Sequence, residues 1–221
     1  IAAEGGGGVG IRRAALIEST LTPMMLRFIP LLLLFITRPA EIGFEKKMID
    51  AGAAEPAAFA DINRDGKLDI VSGEFWYQAP QWTAHRFREI PFLNNYVDDF
   101  ADLVADYDGD GEPDVVSCGW FGKNVTFWKN PGRGRGMWTK KDLETRFNVE
   151  LAFLVDADSD GKALEVLPQF GNKTAPRTWY EYRGGEWKAN VVSPQSYGHG
   201  IGAGDVNGDK RVDIVTPQGW F

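Results

Sequence analysis

The sequence predicts an all-β fold, a β-propeller built of four-stranded blades, of which about three and a half are present. One acidic motif recurs four times, with 45, 50 and 49 positions between its first residues, Asp61, Asp106, Asp156 and Asp205. Segments rich in β-branched residues follow the motifs, and such residues favour strands. A period of roughly 40 to 50 residues made of short strands is typical of propeller blades, each of which needs neighbours to bury its faces.

The second copy of the motif is the most complete. Asp106, Asp108 and Asp110 alternate along the chain, Gly111 supplies a sharp turn, and Asp114 closes the loop. Ca²⁺ prefers about six to eight oxygen ligands, and such a loop can direct several oxygens at one cation. The seventh residue of each loop would contribute its main-chain carbonyl. The predicted calcium ligands are Asp61, Asn63, Asp65, Lys67 and Asp69 in loop one; Asp106, Asp108, Asp110, Glu112 and Asp114 in loop two; Asp156, Asp158, Asp160, Lys162 and Glu165 in loop three; and Asp205, Asn207, Asp209, Arg211 and Asp213 in loop four.

The residues after the loops exclude two helical classes of calcium protein. An EF-hand needs a bidentate glutamate at loop position twelve and a helix after it. Strand-forming residues follow these loops instead, and position twelve holds Ser72, Ser117, Leu167 and Thr216. Dockerin-like modules also place helices after their loops. The loops are therefore predicted to be turns between strands.

Two loops depart from the common pattern. Loop three carries one extra residue, so Leu164 takes the ninth position and Glu165 must reach into the site. Loop four has Lys210 where the other loops have their turn glycine. We therefore expect loops one and two to bind Ca²⁺ most tightly.

Aromatic residues mark the outer strand of each repeat. Trp82, Trp138 and Trp187 each open a short polar segment ahead of the next loop, and residues 44–49 fit the same position. The chain is therefore expected to begin with an outer strand from a blade whose other strands are absent. The sequence stops at Phe221, before the outer strand of the fourth repeat, so further C-terminal blades are expected.

The loops and the strands after them resemble the FG-GAP-like or VCBS repeats, a family of calcium-binding β-propellers like the headpiece of integrin α chains. The resemblance covers residues 44–221 and is clearest over 61–71, 106–116 and 204–215. It implies Ca²⁺ as the cofactor. It also implies a ring that is commonly seven-bladed, of which this chain would be a fragment.

The first forty residues carry no blade pattern. Residues 1–23 include a run of four glycines and are predicted to be a disordered or untranslated leader. Arg27 then precedes an apolar run of nine residues, 28–36, which is too short to span a bilayer. Residues 24–40 are therefore interpreted as a signal peptide, with a buried strand as the alternative. This interpretation predicts a secreted protein, extracellular or periplasmic, with the incomplete propeller at residues 41–221 and no transmembrane span after signal removal.

Charge and motifs argue against several classes of function. The net charge is −7, and thirteen aspartates lie in the four loops, where bound cations would offset them. An acidic chain without a cluster of lysine and arginine argues against nucleic acid as a partner. Gly-x-Ser-x-Gly, His-Glu-x-x-His and phosphate-loop motifs are absent and there are only two histidines, so hydrolase triads and zinc sites are poorly supported. Cys118, the single cysteine, is expected to be buried and inert.

A ligand face is predicted at the end of the repeats opposite the calcium turns. Residues just before each first strand should face the central channel there. The predicted ligand-binding residues are Glu55, Asp98, Asp99, Asn148, Glu150, Tyr197 and His199. Such a polar mouth suits sugar or peptide binding, and Glu150 and His199 are acid–base candidates. Solvated loop residues are the alternative interpretation.

The sequence therefore predicts a secreted, calcium-stabilised propeller module that binds carbohydrate or protein ligands. The alternative is an enzyme of the same fold, a calcium-dependent polysaccharide lyase or sugar dehydratase.

Overall fold

Antiparallel strands make up the regular structure of residues 41–221, the part of the chain that the computed structural model describes. The predicted leader at residues 1–23 and the predicted signal peptide at 24–40 lie outside the described residues. Residues 41–221 contain no helix, and hence none that is long and apolar enough to cross a membrane. The all-β prediction is therefore confirmed for the described residues.

Three sheets have four strands each, and in every one the strands follow one another as an antiparallel meander. Sheet 1 contains β1 (Ala58–Ala60), β2 (Asp69–Ser72), β3 (Phe75–Gln78) and β4 (Thr83–Arg86). A short hairpin follows, made of β5 (Phe92–Leu93) and β6 (Tyr96–Val97). Sheet 2 contains β7 (Ala101–Ala105), β8 (Asp114–Gly119), β9 (Asn124–Lys129) and β10 (Thr139–Glu144). Sheet 3 contains β11 (Val149–Val155), β12 (Glu165–Phe170), β13 (Arg177–Arg183) and β14 (Glu186–Ser193). Sheet 4 has three strands, β15 (Gly202–Gly204), β16 (Asp213–Thr216) and β17 (Gly219–Trp220).

The four acidic loops occupy the same place in every sheet, between the first and the second strand. The prediction that they are turns between strands is therefore confirmed. The aromatic markers also lie where the sequence places them, at the outer strand of each four-stranded sheet. Trp82 directly precedes β4, Trp138 directly precedes β10, and Trp187 lies within β14.

The second strands of sheets 2 and 3 are buried on both faces because each sheet packs against a neighbour on either side. Successive side chains of a strand point to opposite faces. In β8, Val115 therefore joins a core with Ile62 and Trp76 of the first repeat. Val116, the next residue, joins a second core with Phe170 of sheet 3.

The same alternation continues in β12. Val166 belongs to the core shared with sheet 2, whereas Leu167 packs with Ile214 of sheet 4. Each pair of successive sheets therefore encloses its own apolar core. Their first strands also lie near one another, since β7 contacts both β1 and β11.

A buried ion network joins the first sheet to the second. The Arg88 guanidinium donates to Asp99 at 2.9 Å and to Asp102 at 2.6 Å, and all three side chains are fully buried. Arg88 Nε also donates to the Gly73 carbonyl at 2.6 Å. Cys118 is buried as expected, and burial raises the pKa of its thiol, which keeps it in the unreactive protonated form.

The structure corrects the prediction of an outer strand at residues 44–49. This segment has no strand conformation and pairs with no strand of the described chain, and Phe44 is 92% exposed. Its apolar residues suggested a strand, but a strand persists only where a neighbour satisfies its backbone groups. Directly after the segment, Asp50 accepts a hydrogen bond from the Tyr77 hydroxyl at 2.9 Å.

Candidate metal loops and ligand face

The four loops share one backbone conformation. In each, the fourth and the sixth residues have positive φ, the left-handed region that favours glycine. The fourth residues are Arg64, Gly109, Ser159 and Gly208, with φ of 58°, 77°, 62° and 83°. The sixth residues are Gly66, Gly111, Gly161 and Lys210, with φ of 84°, 87°, 89° and 69°. Lys210 therefore takes the glycine conformation, and loop four keeps the turn despite its substitution.

The loops also share one set of hydrogen bonds. The first aspartate accepts from the backbone N–H of the sixth residue, as in Gly66 to Asp61 at 2.8 Å and Lys210 to Asp205 at 2.9 Å. Loops two and three repeat this bond at 2.9 and 3.0 Å. The fifth residue of every loop, always an aspartate, accepts from the N–H of the seventh residue at 2.8 to 3.0 Å. These bonds fix two carboxylates of each loop in place.

The closing carboxylate is held in the same way in three loops. Asp69 and Asp213 accept from the N–H of the second loop residue at 3.0 and 2.8 Å. Glu165 accepts from the N–H of Ala157 at 2.8 Å. Glu165 therefore does reach into loop three, because its longer side chain makes up for the extra residue. Burial, together with the acids of its own loop, raises the pKa of Glu165 to about 7.

Loop two differs at its closing carboxylate. Asp114 is fully buried, and its Oδ1 accepts from the N–H of Asn130 at 2.8 Å, but its Oδ2 has no hydrogen-bond partner. Burial, with Asp108 and Asp110 nearby, raises the pKa of Asp114 to about 7. A cation bound in the loop could satisfy such an oxygen, which is buried and unpaired among other carboxylates.

Lys129 supplies one positive charge at loop two. Its ammonium donates to Asp108 and, at 2.8 Å, to Asp110. The hydrogen bond from Lys129 lowers the pKa of Asp110. The sequence pattern of the loop did not indicate this contact, because Lys129 ends β9 and reaches the loop only through the fold.

Carboxylates converge most closely in loops two and three. The ligand oxygens of Asp106, Asp108 and Asp110 lie within 4.8 Å of one another, and so do those of Asp156, Asp158 and Glu165. Asp156 Oδ1 is also buried without a hydrogen-bond partner. Loops one and four carry fewer charges, since Asn63 and Asn207 stand in the third position, where each amide donates to the fifth-residue aspartate. The carbonyls of Lys67, Glu112, Lys162 and Arg211 remain predicted ligands.

The structure brings together two of the residues predicted for the ligand face, at the end of sheet 3 away from its acidic loop. His199 Nδ1 lies 2.5 Å from Glu150 Oε2, and both side chains are about half exposed. Gln169, which the sequence reasoning missed, donates from Nε2 to the same Glu150 oxygen at 3.2 Å. Its Oε1 accepts from the Gly200 N–H at 2.9 Å. The cluster of Glu150, Gln169 and His199 is called the dyad site below.

A β-bulge aims Glu150 out of its strand. The register of β11 against β12 shifts between Val149 and Leu151, so Glu150 is the extra residue. Bulges of this kind redirect a side chain and are enriched beside active sites. Gln169 lies opposite Leu151, which places its amide directly next to the bulge.

The hydrogen bonds of the dyad site fix the form of the histidine ring. An ionised carboxylate only accepts, so Nδ1 of His199 must carry the proton that it shares with Glu150. Nε2 of the neutral ring then bears the free lone pair. The contact of 3.3 Å between Gln169 Nε2 and His199 Nδ1 joins two donors and adds no hydrogen bond of its own.

Aromatic rings border the dyad site. The Trp120 ring stacks with His199 at a centroid distance of 5.6 Å and an interplanar angle of 29°. A Cβ on Gly171 would lie 2.4 Å from two atoms of the Trp120 ring, so only glycine leaves room for the ring there. The ring centroid of Phe121, the residue after Trp120, lies 5.7 Å from that of Tyr96 and 6.1 Å from that of Phe100.

The other predicted ligand residues have different surroundings. Asn148 donates to the Trp120 carbonyl at 2.6 Å and so supports the aromatic border. Asp98 is buried and accepts from the N–H groups of Phe121 and Gly122, each at 2.8 Å.

Three more of the predicted residues are not part of the dyad site's hydrogen-bond network. Asp99 is buried and forms an ion pair with Arg88, so neither Asp98 nor Asp99 is exposed at the predicted ligand face. Tyr197 is partly buried with φ of 64°, and Glu55 is exposed on the approach to sheet 1.

No family model, curated protein or solved structure matches this chain. The resemblance to FG-GAP-like and VCBS repeats therefore stays a prediction carried by the loop residues. The described residues themselves present four loops of one geometry and, separately, a preorganised histidine–glutamate pair beside a tryptophan ring.

Proposed function

We propose that this protein is a secreted, calcium-stabilised β-propeller module that binds a carbohydrate on the face carrying the dyad site. The observation that carries the proposal is the shared geometry of the four loops. Their sequences differ at several positions, yet their turns and two of their hydrogen bonds are the same. One bound ion per loop is the simplest reason for a chain to keep four acidic turns of one design.

The donor set favours calcium over other metals. Every predicted ligand in the loops is an oxygen, from carboxylate, amide or main-chain carbonyl, and hard cations prefer such ligands. Nitrogen or sulfur ligands, which zinc and copper favour, are absent from the predicted set. The buried unpaired oxygens of Asp114 and Asp156 fit a cation held inside loops two and three. When bound, Ca²⁺ would neutralise the converging carboxylates of each loop.

The propeller architecture is proposed from the way the sheets repeat. Each sheet is a meander, each pair of successive sheets encloses a core, and neighbouring first strands are close. These features support blades that are arranged about a common axis and lined by their first strands. Secretion is proposed from the basic and apolar pattern of residues 24–40.

Carbohydrate is proposed as the ligand because of the chemistry around the dyad site. Sugars present apolar C–H faces and a ring of hydroxyl groups. Trp120 offers an aromatic surface, and the half-exposed Glu150 and His199 offer hydrogen-bonding groups beside it. A protein ligand is the other possibility that the sequence leaves open.

Calcium is tested by thermal unfolding of the full chain in Ca²⁺ and in chelator. Binding to the folded state should add roughly 2.7 kcal/mol at a hundredfold excess of Ca²⁺ over its dissociation constant. Asp158→Asn, in loop three, should reduce the gain, whereas the exposed control Glu186→Gln should not. Equal melting temperatures with and without chelator would refute the calcium role.

Carbohydrate binding is tested by electrophoresis of the calcium-loaded protein through gels that contain neutral or acidic polysaccharides. We expect at least one polymer to retard the protein. Trp120→Ala should abolish the retardation, and Trp220→Ala, a control ring that is 50% exposed in sheet 4, should not. If no polymer slows the protein, a protein ligand becomes the better proposal.

A further inference from the structure

We infer that the dyad site is catalytic, with His199 as the proton-transfer residue of an elimination reaction on uronate-containing polysaccharides. This inference rests on the proposed binding of carbohydrate at the same face. It assigns Glu150 and Gln169 as positioning residues, because both act through the imidazole rather than on the sugar.

The first argument is the preorganisation of the imidazole. Glu150 holds Nδ1 of His199 at 2.5 Å and so leaves Nε2 as the free proton acceptor. Glu150 is fixed in turn by Gln169, a buried side chain that the Gly200 N–H holds by its other end. A base oriented by a carboxylate that is itself anchored is the arrangement expected of a general acid–base centre. A purely ligand-binding face would not need a fixed tautomer.

The second argument decides the type of reaction. Hydrolysis of a glycosidic bond ordinarily uses two carboxyl groups on either side of the bond. Glu150 is occupied by His199, and the neighbouring Asp98 and Asp99 are buried in other hydrogen bonds. The dyad site therefore provides one imidazole, and Glu150, Asp98 and Asp99 leave no pair of free carboxylates beside it. A single imidazole can both remove and return a proton, which is what an elimination requires.

The third argument concerns the substrate. Removing a proton from a sugar carbon needs a neighbouring carboxylate whose charge is offset, and uronic acids provide that carboxylate. Lys173 lies close enough to supply the positive charge. Gly198 is the residue before His199, and Cγ of Lys173 lies 3.2 Å from the position that a Cβ on Gly198 would occupy. Lys173 is exposed, and its ammonium forms no ion pair within 4.0 Å among the described residues.

The proposed step balances without a further reactant. Nε2 of His199 takes the proton from the ring carbon that bears the carboxylate, and a double bond forms to the adjacent carbon. The bond from that adjacent carbon to the glycosidic oxygen breaks. The imidazolium then returns the proton to the leaving oxygen, which becomes the hydroxyl of the released chain. The products are one chain with a new end and one unsaturated uronate.

The test is an ultraviolet assay for unsaturated uronate with calcium-loaded full-length protein and a panel of uronate polymers. The gel retardation described above is measured in parallel on the same polymers. His199→Ala should lower kcat by about 100-fold or more, the range expected for loss of a general acid–base. Free imidazole should restore part of that activity. His85→Ala, which removes the only other histidine, is the matched control and should keep full activity.

The variant Glu150→Gln distinguishes a role of Glu150 in positioning His199 from a role in packing alone. This variant keeps the size of the side chain but loses the charge that fixes the tautomer, so kcat should fall at least about tenfold while KM changes little. Glu150→Asp should recover part of the loss. Lys173→Met should instead raise KM for uronate polymers.

The outcomes distinguish the two proposals. Retardation by a uronate polymer without any unsaturated product would overturn the catalytic inference and leave the binding module intact. Absence of both retardation and product would overturn both. Product that forms equally well with His199→Ala would show that the elimination, if present, does not use the dyad site, and would also overturn the inference.

Discussion

Arg88 offers the sharpest test of how the repeats are joined. Its side chain and those of Asp99 and Asp102 have no exposed area, and the two ion pairs are 2.9 and 2.6 Å long. Replacing Arg88 with Met keeps most of the volume but leaves two carboxylates in the interior without a positive partner. Asp98, the residue before Asp99, holds the turn after Trp120, so the network also supports the ligand face.

The expected loss follows from the cost of a buried unpaired charge. Removing one partner of a buried ion pair costs about 3–5 kcal/mol in the free energy of unfolding. For a domain of this size, each kcal/mol lowers the melting temperature by about 2–4 °C. Arg88→Met should therefore lower the melting temperature by roughly 6–20 °C. The variant that also carries Asp99→Asn and Asp102→Asn should recover much of this loss, because no buried charge remains.

Denaturant and thermal unfolding of the calcium-loaded protein measure the effect. The matched control is Arg86→Met, two residues earlier, where the side chain is 46% exposed and pairs with Glu74 at 2.9 Å. A surface pair of that kind contributes at most about 1 kcal/mol. If Arg88→Met destabilised the protein no more than Arg86→Met, the buried network would not hold the sheets together as argued.

Three further predictions concern single sites. Burial alone would raise the pKa of Glu144, but hydrogen bonds from the Arg146 side chain and two backbone N–H groups outweigh burial and lower that pKa. The free energy of unfolding of the unmodified protein should therefore exceed that of Glu144→Gln by its full amount near neutral pH. The difference should shrink when unfolding is measured in acid, below about pH 4.5. An advantage that grew in acid would contradict this. Gly171→Ala should displace the Trp120 ring and weaken polysaccharide retardation, whereas Gly204→Ala, where nothing lies within 4 Å, should not. Lys129→Met should raise the Ca²⁺ affinity of loop two by about 2- to 5-fold in calorimetric titration, because the Lys129 ammonium competes with the ion for Asp110 and an exposed ion pair is worth up to about 1 kcal/mol. Unchanged affinity would show that Lys129 does not compete with the ion.

The sequence predicted the loops well because their geometry is local. Alternating acids and a residue with positive φ define the turn within nine or ten positions, and even Lys210 and Glu165 adopt the geometry of their counterparts. The pairing of the strands follows from the turns, since a short loop between two strands favours an antiparallel meander. The period then places each sheet beside the next.

The residues that sequence reasoning missed belong to contacts between distant segments. Gln169 reaches the dyad site through a bulge whose position depends on the register of β11 against β12, and one sequence does not reveal a register. Lys129 reaches loop two from the end of β9. The turn of the β5–β6 hairpin is different, because its signal is local: Asn94 and Asn95 readily adopt the positive φ seen there, 51° and 65°.

The failed strand at residues 44–49 and the paired strand β11 illustrate the same principle. A strand-like pattern has meaning only when a partner strand is present, and residues 44–49 have none among the described residues. β11 is paired with β12. It starts at Val149, the residue before Glu150, and ends at Val155, the residue before Asp156, which is the first residue of loop three. At about 3.3 Å per residue, the strand sets these two residues roughly 20 Å apart on one stiff element. An ion that orders loop three would therefore also hold the far end of β11, where the bulge sets the position of the Glu150 carboxylate.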